Sequence, residues 1–422
     1  MNKLEKIVYD AVKSNPKIKL KLRNIYQSFY DMLPDHDSWA YSNITVREGY
    51  FLGFHDTCPF SADGSIILSN KLEITEDTMR MPMMDDPLTV GFWDEKLLNF
   101  TEIKKTFAWN YHKGCRLQWC GEYNDEIIFN DVEKGHLCAN IYTLRNGGIK
   151  KIDYPIDTVS HNGKFATSFS YERLNRYMPG YGYNVSDDAF FMEPASRNTG
   201  LYIIDINNNA RKLIVTLETL ASIEKEKTML NANHYVTHTE FSPDDDRIAF
   251  LHRWTYDDPN KRYTRLVTCK IDGSDIRISE TTGMVSHYVW DNDHGILAYC
   301  RVNDIDGHYV FPDYSLKQPY RVAAALNSDG HQSYVPGSGC FVTDTYPDKH
   351  RHAMIYLCDI RNDSVRKIAD LKSWKKFQSP SADKHWACDL HPRVSRDGQF
   401  VCFDSVHTGK RSLCVMNINT ID

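Results

Sequence analysis

Four histidines recur in matching surroundings: HTEFSPDD from His238, HYVWDNDH from His287, HQSYVPGS from His331 and HPRVSRDG from His391. Each has a bulky apolar or aromatic residue three places on, then a turn-prone stretch, then a short apolar run (RIAFLH, GILAYC, GCFVTD, QFVCFD). The spacings are 49, 44 and 60 residues. Repeats of this size, made of short strands, have the rhythm of propeller blades. Equivalent positions of successive blades are related by rotation about one axis, so a residue repeated in sequence becomes a ring in space. Neutral imidazoles converging on one channel mouth suit Mn, Fe, Zn or Ni, or acid–base work. Asp389 stands two places before His391, and side chains two apart on a strand share a face. The pair can offer an oxygen and a nitrogen to one site. The alternative is a ring of histidines that only bond carbonyls and cap inner strands.

The elements that must carry such a ring are legible as seven units of short alternating strands and turns, over residues 54–94, 118–154, 158–216, 238–279, 287–325, 331–369 and 391–421. The pattern predicts an all-β propeller, with seven four-stranded blades favoured over six or eight. The last unit stops near the chain end, and the segment AYSNITVREGYFL before Phe54 is placed to complete it. Closure matters because an open ring exposes strand edges. Residues 44–422 are assigned to the propeller and 1–43 to a helical extension. In that extension Leu4, Ile7, Val8 and Ala11 share one face, Ile25, Phe29 and Leu33 another, and Pro16 stands between them. It is a candidate docking element, for the propeller or for a protein partner. Residues 218–233 read as a helix and loop inserted on one face.

The net charge of −6 supplies no basic field for nucleic acid. No run of about 18 apolar residues suggests a membrane span, and the first residues lack a signal-peptide core. Eleven cysteines without finger-type spacing fit free thiols in a reducing compartment, so a cytoplasmic location is expected. FSPDDDRI and SRDGQF lack the ligand order of a calcium loop and read as blade turns. The run HDTCP, with His55, Asp56 and Cys58, reads as a surface loop with a buried thiol.

The phrases H-x-x-F-S-P-D, S-H-x-x-W and H-P-x-x-S-x-D-G resemble those of the oligogalacturonate lyases, cytoplasmic seven-bladed propellers related to TolB-like proteins. The likeness runs over residues 238–418, and earlier blades match only in rhythm. FSPDDDRIAFLH resembles the family's fourth-blade segment, including His252 at the end of its apolar run. VSHYVW resembles the segment bearing a metal-ligand histidine, which falls on His287. DLHPRVSRDGQFVCFDS resembles the last-blade segment, whose second ligand falls on His391. Where the family has His-x-His, this chain has Asp389-x-His391, and the family's glutamine ligand falls on Trp386. AWNYHKGCRLQW, RYMPGYGY and TDTYPD are similar to propellers found among surface-polysaccharide genes.

The resemblance implies a lyase that cleaves an acidic, uronate-containing oligosaccharide or polysaccharide by β-elimination, with a divalent metal, manganese before zinc or iron. Its ligands would be His287 and His391, with Asp389 or His331 completing the set. Arg253 and Arg393, each close after a repeat-linked histidine, are candidates for the substrate carboxylate. His238 or an arginine on the loop after the third inner strand, Arg173 or Arg176, is the candidate base. His252, Trp109, Tyr181 and Tyr183 are candidates for contact with sugar rings, whose C–H faces suit aromatic stacking. For Trp109 and Trp119, blade packing is the competing role. The other functional class is a non-catalytic propeller that binds glycan or a partner in surface-polysaccharide metabolism.

Overall fold

The computed structural model describes residues 16–77, 79–121, 125–256, 262–291, 294–381 and 383–419. Seven antiparallel sheets follow one another around a central axis. Blades two, four and five have four strands each, starting at Gln118–Cys120, Asn233–Phe241 and Val285–Trp290 and ending at Ile149–Ile152, Arg277–Ile278 and Tyr320–Val322. Blade one runs from Tyr50–Phe51 to Phe100–Thr106. Blade three departs from the expected four strands. Its innermost strand shrinks to one bridge, Val159 to Ala166, beside Phe165–Ser168, Gly200–Asp205 and Ala210–Thr216. Blade six gains a fifth strand, Trp39–Ala40, on the outer edge of Ser364–Lys372.

Blade seven closes the ring. Its three strands Arg393–Val394, Phe400–Ser405 and Ser412–Asn417 are completed by Ile44–Glu48, in register from Ile44 opposite Met416 to Glu48 opposite Ser412. A strand from before blade one and three from after blade six therefore share a sheet, which joins the two sides of the ring.

The strands read as short continuous apolar runs because each blade is covered on both faces by its neighbours. All nine residues of Arg247–Thr255 are buried, so the usual alternation of period two disappears. The turns after the inner strands share one device. The Oγ of Ser61, Ser160, Ser242 and Ser395 accepts the backbone N–H five residues on, at Ile66, Phe165, Arg247 and Phe400, over 2.9–3.0 Å. Asp63, Asn162, Asp244 or Asp397 accepts from the same hydroxyl. The Asp-rich runs are thus hairpin turns, their carboxylates occupied by local hydroxyls.

The described part of the extension holds the helix Pro16–Tyr30 and the short strand Trp39–Ala40; Leu4, Ile7, Val8 and Ala11 lie outside the described residues. The helix docks on blade six through polar groups. Gln27 Nε2 donates to the Asp348 carbonyl at 2.9 Å, Gln378 Nε2 donates to Gln27 and Asn24, and Arg351 pairs with Asp31 at 2.8 Å. Ile25, Phe29 and Met32 stay exposed. The insertion contains the helix Leu217–Ser222 and a turn of 3₁₀ helix at Lys227–Met229.

Candidate functional site

The four repeated histidines do meet at the axis. His238 and His287 lie within the inner strands of blades four and five, and His331 and His391 lie two residues before those of blades six and seven. Local irregularity aims them inward: the ladders shift register beside His238 and His287. His238 and His391 hold the left-handed backbone (φ 53° and 47°), which costs roughly 1–3 kcal/mol per residue and persists where the surroundings enforce it. Phe54 plugs the centre, with ring centroids 4.7 Å from His238, 6.0 Å from His287, 6.1 Å from His331 and 5.2 Å from His391. His287 and His391 flank His331 at 4.0 and 4.2 Å.

Three further histidines join them. His55 packs 5.1 Å from His331 and 5.4 Å from His287, so HDTCP is not the surface loop that its composition suggests. Asp56 is paired with Arg116, and burial raises the Cys58 thiol above its ordinary range. His112 comes from the tight turn before blade two, lies 6.1 Å from His391, and bonds His385 through Nε2. These residues occur outside the His repeat, so spacing carried no signal for them.

Carboxylates fix the rings. Asp344 accepts the backbone N–H of His331 with one oxygen and that of His391 with the other, at 2.7 and 2.9 Å. Its Oδ1 also lies 2.9 Å from His331 Nδ1, which leaves His331 Nε2 directed at the ring. Burial disfavours a charged His331, but Asp344 outweighs it and holds this pKa above the ordinary value. Burial holds His238, His287, His391 and His112 well below theirs, so these are neutral at pH 7. Asp389 is pushed up to about 6 by burial.

The donor set fits a divalent metal. One donor atom each from His112, Asp389 and His391 lies within 4.8 Å of the others, and all three residues are buried. His112 Nδ1, His391 Nε2, His331 Nε2, His287 Nδ1, His55 Nδ1 and His238 Nε2 are buried without a hydrogen-bond partner. So many unsatisfied buried nitrogens in one place is costly unless a further group serves them. Mixed imidazole and carboxylate donors suit manganese, iron or zinc. Asp389 and His391 sit together as their spacing implies; His112, not His287, is the histidine beside them, and His287 and His331 continue the ring.

Of Arg253, Arg393 and Arg173, it is Arg253 that stands near His238 and His287 with its charge uncommitted. It is buried, donates to Met178 Sδ and the Ser286 carbonyl, and has no carboxylate partner among the described residues. Burial and the nearby Arg262 push it down to about 10. Arg393 instead donates to the carbonyls of Gly53 and Phe54 and pairs with Asp404 at 3.0 Å, which positions the Phe54 plug. Arg173 is consumed by Asp188 and the carbonyls of Phe190 and Glu193.

Tyr181 stacks on His112 at 4.7 Å and covers the mouth beside His385. Tyr183 is a core residue: its hydroxyl accepts from Asn130 and its ring stacks on Tyr171. His252 lies between His234 and Arg265, away from the ring. Trp109 and Trp119 are buried, donating to the carbonyls of Asp86 and Pro59. Trp109 also borders a cleft of about 230 Å³ with Asn110, Asn175, Asn184 and Gly180. That cleft adjoins the mouth, because Gly180 touches His385 so closely that a Cβ would come within 2.6 Å of it.

No protein-family model matches the sequence, and no curated protein matches it. Solved structures do. An oligogalacturonate lyase in complex with manganese aligns over 92% of this chain and 97% of its own, with TM-score 0.64 and 14% identity. An oligogalacturonate lyase from Vibrio parahaemolyticus aligns over 90% and 99%, with TM-score 0.58 and 13% identity. The fold is that of the oligogalacturonate lyases. Among the described residues, no helix is long and apolar enough to cross a membrane.

Proposed function

We propose that this propeller is a metal-dependent lyase that cleaves uronate-containing oligosaccharide by β-elimination. The observation that carries the reading is the set of buried, unpartnered imidazole nitrogens around Phe54, with Asp389 among them and Arg253 beside them. The similarity in fold to a manganese-bound oligogalacturonate lyase supports it. His112, Asp389 and His391 would hold the ion, with His331 and His287 adjacent. Bound there, a divalent cation supplies a Lewis acid for the substrate carboxylate.

The chain's own groups account for the rest. Arg253 offers a guanidinium without a competing carboxylate, in a low-dielectric setting where pairing with an anion is strong. It binds and orients the uronate carboxylate, which makes the proton on the neighbouring carbon more acidic. His238 is neutral, and its Nε2 is free to take that proton; the electron pair left behind forms the carbon–carbon double bond as the bond from the β-carbon to the glycosidic oxygen breaks, and the departing oxygen takes a proton from water. Tyr181 and the asparagine-lined cleft offer a stacking face and neutral hydrogen bonds to the adjoining sugar units. Tyr181 and His385 must swing aside for substrate to enter, since the ring is buried beneath them.

The test is ultraviolet absorbance of the unsaturated product during incubation of metal-loaded protein with uronate oligosaccharides. His391→Ala and His112→Ala are expected to remove the signal while the circular dichroism of the propeller persists. A protein that retains tight glycan binding but forms no product under any divalent metal would instead be the non-catalytic binder.

A further inference from the structure

A second group of imidazoles and carboxylates lies on the outer side of blade six, where the N-terminal arm crosses it. The arm contributes Asp35 and His36, and the blade contributes His350, His352 and Asp370. One donor atom each from Asp35, His36 and His352 lies within 4.8 Å of the others. His352 is buried, and its Nδ1 lies 2.6 Å from Asp370 Oδ1. A carboxylate bonded to one imidazole nitrogen fixes the ring and turns the other nitrogen into the donor, as around protein-bound zinc. That other nitrogen, Nε2, faces Asp35 Oδ2 at 3.2 Å. The His36 ring lies against the His352 ring at 4.1 Å, with its Nδ1 3.5 Å from Asp35 Oδ1. His350 Nδ1 is buried without a hydrogen-bond partner, 3.8 Å from the same oxygen.

We propose that Asp35, His36 and His352, with His350 as fourth donor, form a zinc-class structural site that staples the arm to blade six. Neighbouring donors around a tetrahedral zinc, with bonds of about 2.0–2.1 Å, stand about 3.3 Å apart. The separations of His352 Nε2 from Asp35 Oδ2, 3.2 Å, and of His36 Nδ1 from Asp35 Oδ1, 3.5 Å, lie on either side of that value. Three imidazoles and one carboxylate are all zinc ligands, four protein donors leave no open position, as in a closed structural site, and Asp370 supplies the outer bond that such a site uses. Lys372 contacts Asp35 Oδ2 and the His350 carbonyl, and Lys367 holds the far oxygen of Asp370 at 2.7 Å. Lys372 therefore competes with the ion for Asp35. The consequence reaches the closure of the ring. The same arm continues through Trp39–Ala40, the fifth strand of blade six, into Ile44–Glu48, which completes blade seven.

The experiment compares full-length protein with the His36→Ala/His350→Ala variant, the first side chain being exposed and the second half-buried. Each is stripped with chelator and titrated with Co²⁺, then Zn²⁺, following visible absorption and stoichiometry. The variant is expected to bind one ion per chain fewer, lose the tetrahedral cobalt band and lose the part of the zinc-induced rise in Tm that this site provides. Lys372→Met is expected to tighten binding. Equal stoichiometry and equal spectra in the two proteins would overturn the proposal and leave a metal-free ion-pair clasp. The comparison is a difference between proteins with the same ring, so it stands whether or not the ring of histidines binds metal.

Discussion

At the residue scale, Asp344 and Arg253 are the side chains whose roles are easiest to separate from folding. Asp344 accepts the backbone N–H of both His331 and His391 and orients the His331 ring. Asp344→Asn keeps the shape and removes the charge, but an amide has one accepting oxygen, so one of the two buried backbone N–H groups loses its acceptor. Loss of a group that orients a metal ligand costs roughly 10–100-fold in metal affinity, and that loss is expected for Mn²⁺ measured by calorimetry, beside a stability loss of about 1–3 kcal/mol read separately from urea unfolding. Arg253→Gln removes the uncommitted guanidinium. A hydrogen bond to a charged group is worth about 1.5–3 kcal/mol, so kcat/KM for uronate oligosaccharide should fall by about 10–100-fold. A neutral-sugar analogue that binds the cleft should be unaffected, and equal losses for both ligands would argue against a carboxylate contact. The repeat made four ring members visible in the sequence, and strand alternation added Asp389. His55, His112 and His385 enter from turns outside the repeat, and Asp344 acts through backbone N–H groups. Neither kind of role leaves a periodic trace. Arg393 follows a repeat-linked histidine and Arg173 follows the third inner strand in sequence, yet carbonyls and carboxylates in three dimensions claim them both.

At the element scale, the closing strand is the point of greatest leverage. Ile44 and Val46 face the core shared by blades six and seven, whereas Thr45 faces solvent. Val46→Asp places a carboxylate opposite Cys414, against the apolar core of blades six and seven, and should destabilise by about 2–4 kcal/mol. Thr45→Asp should change stability by no more than about 0.5 kcal/mol. Urea unfolding of the two variants checks the pair; equal effects would show that closure does not depend on this strand's inward face. Closure was legible because seven strand units and a strand-like segment before Phe54 left one consistent way to complete the ring. The reduced inner strand of blade three was not legible, since Val159 and Ala166 look as strand-like as their neighbours. The fifth strand of blade six was also hidden, because two residues, Trp39 and Ala40, are too few to give a pattern.

At the scale of the whole molecule, buried histidines set the response to acid. His234 and His308 are each pushed down to about 4 by burial, and burial also holds the neutral ring members well below their ordinary value. In the unfolded chain a histidine takes up its proton near pH 6.5. Between that pH and about 4 the unfolded state therefore binds more protons, and stability falls as pH falls, by about 1.4 kcal/mol per pH unit for each such histidine. The loss from His234 and His308 levels off below about 4. Buried carboxylates work the other way. Asp389 is pushed up to about 6 by burial, and Glu240 and Asp329 are also raised, so these hold protons in the fold that the unfolded chain releases. The histidines outnumber them, and the net expectation is a steep loss of stability from pH 6.5 to 4.5. Chemical denaturation across that range measures the slope. His234→Gln removes one titrating group outside the ring and should reduce the slope by about 1.4 kcal/mol per pH unit. An unchanged slope would mean that His234 is already charged in the folded protein, contrary to its place between His252 and the Met229 carbonyl.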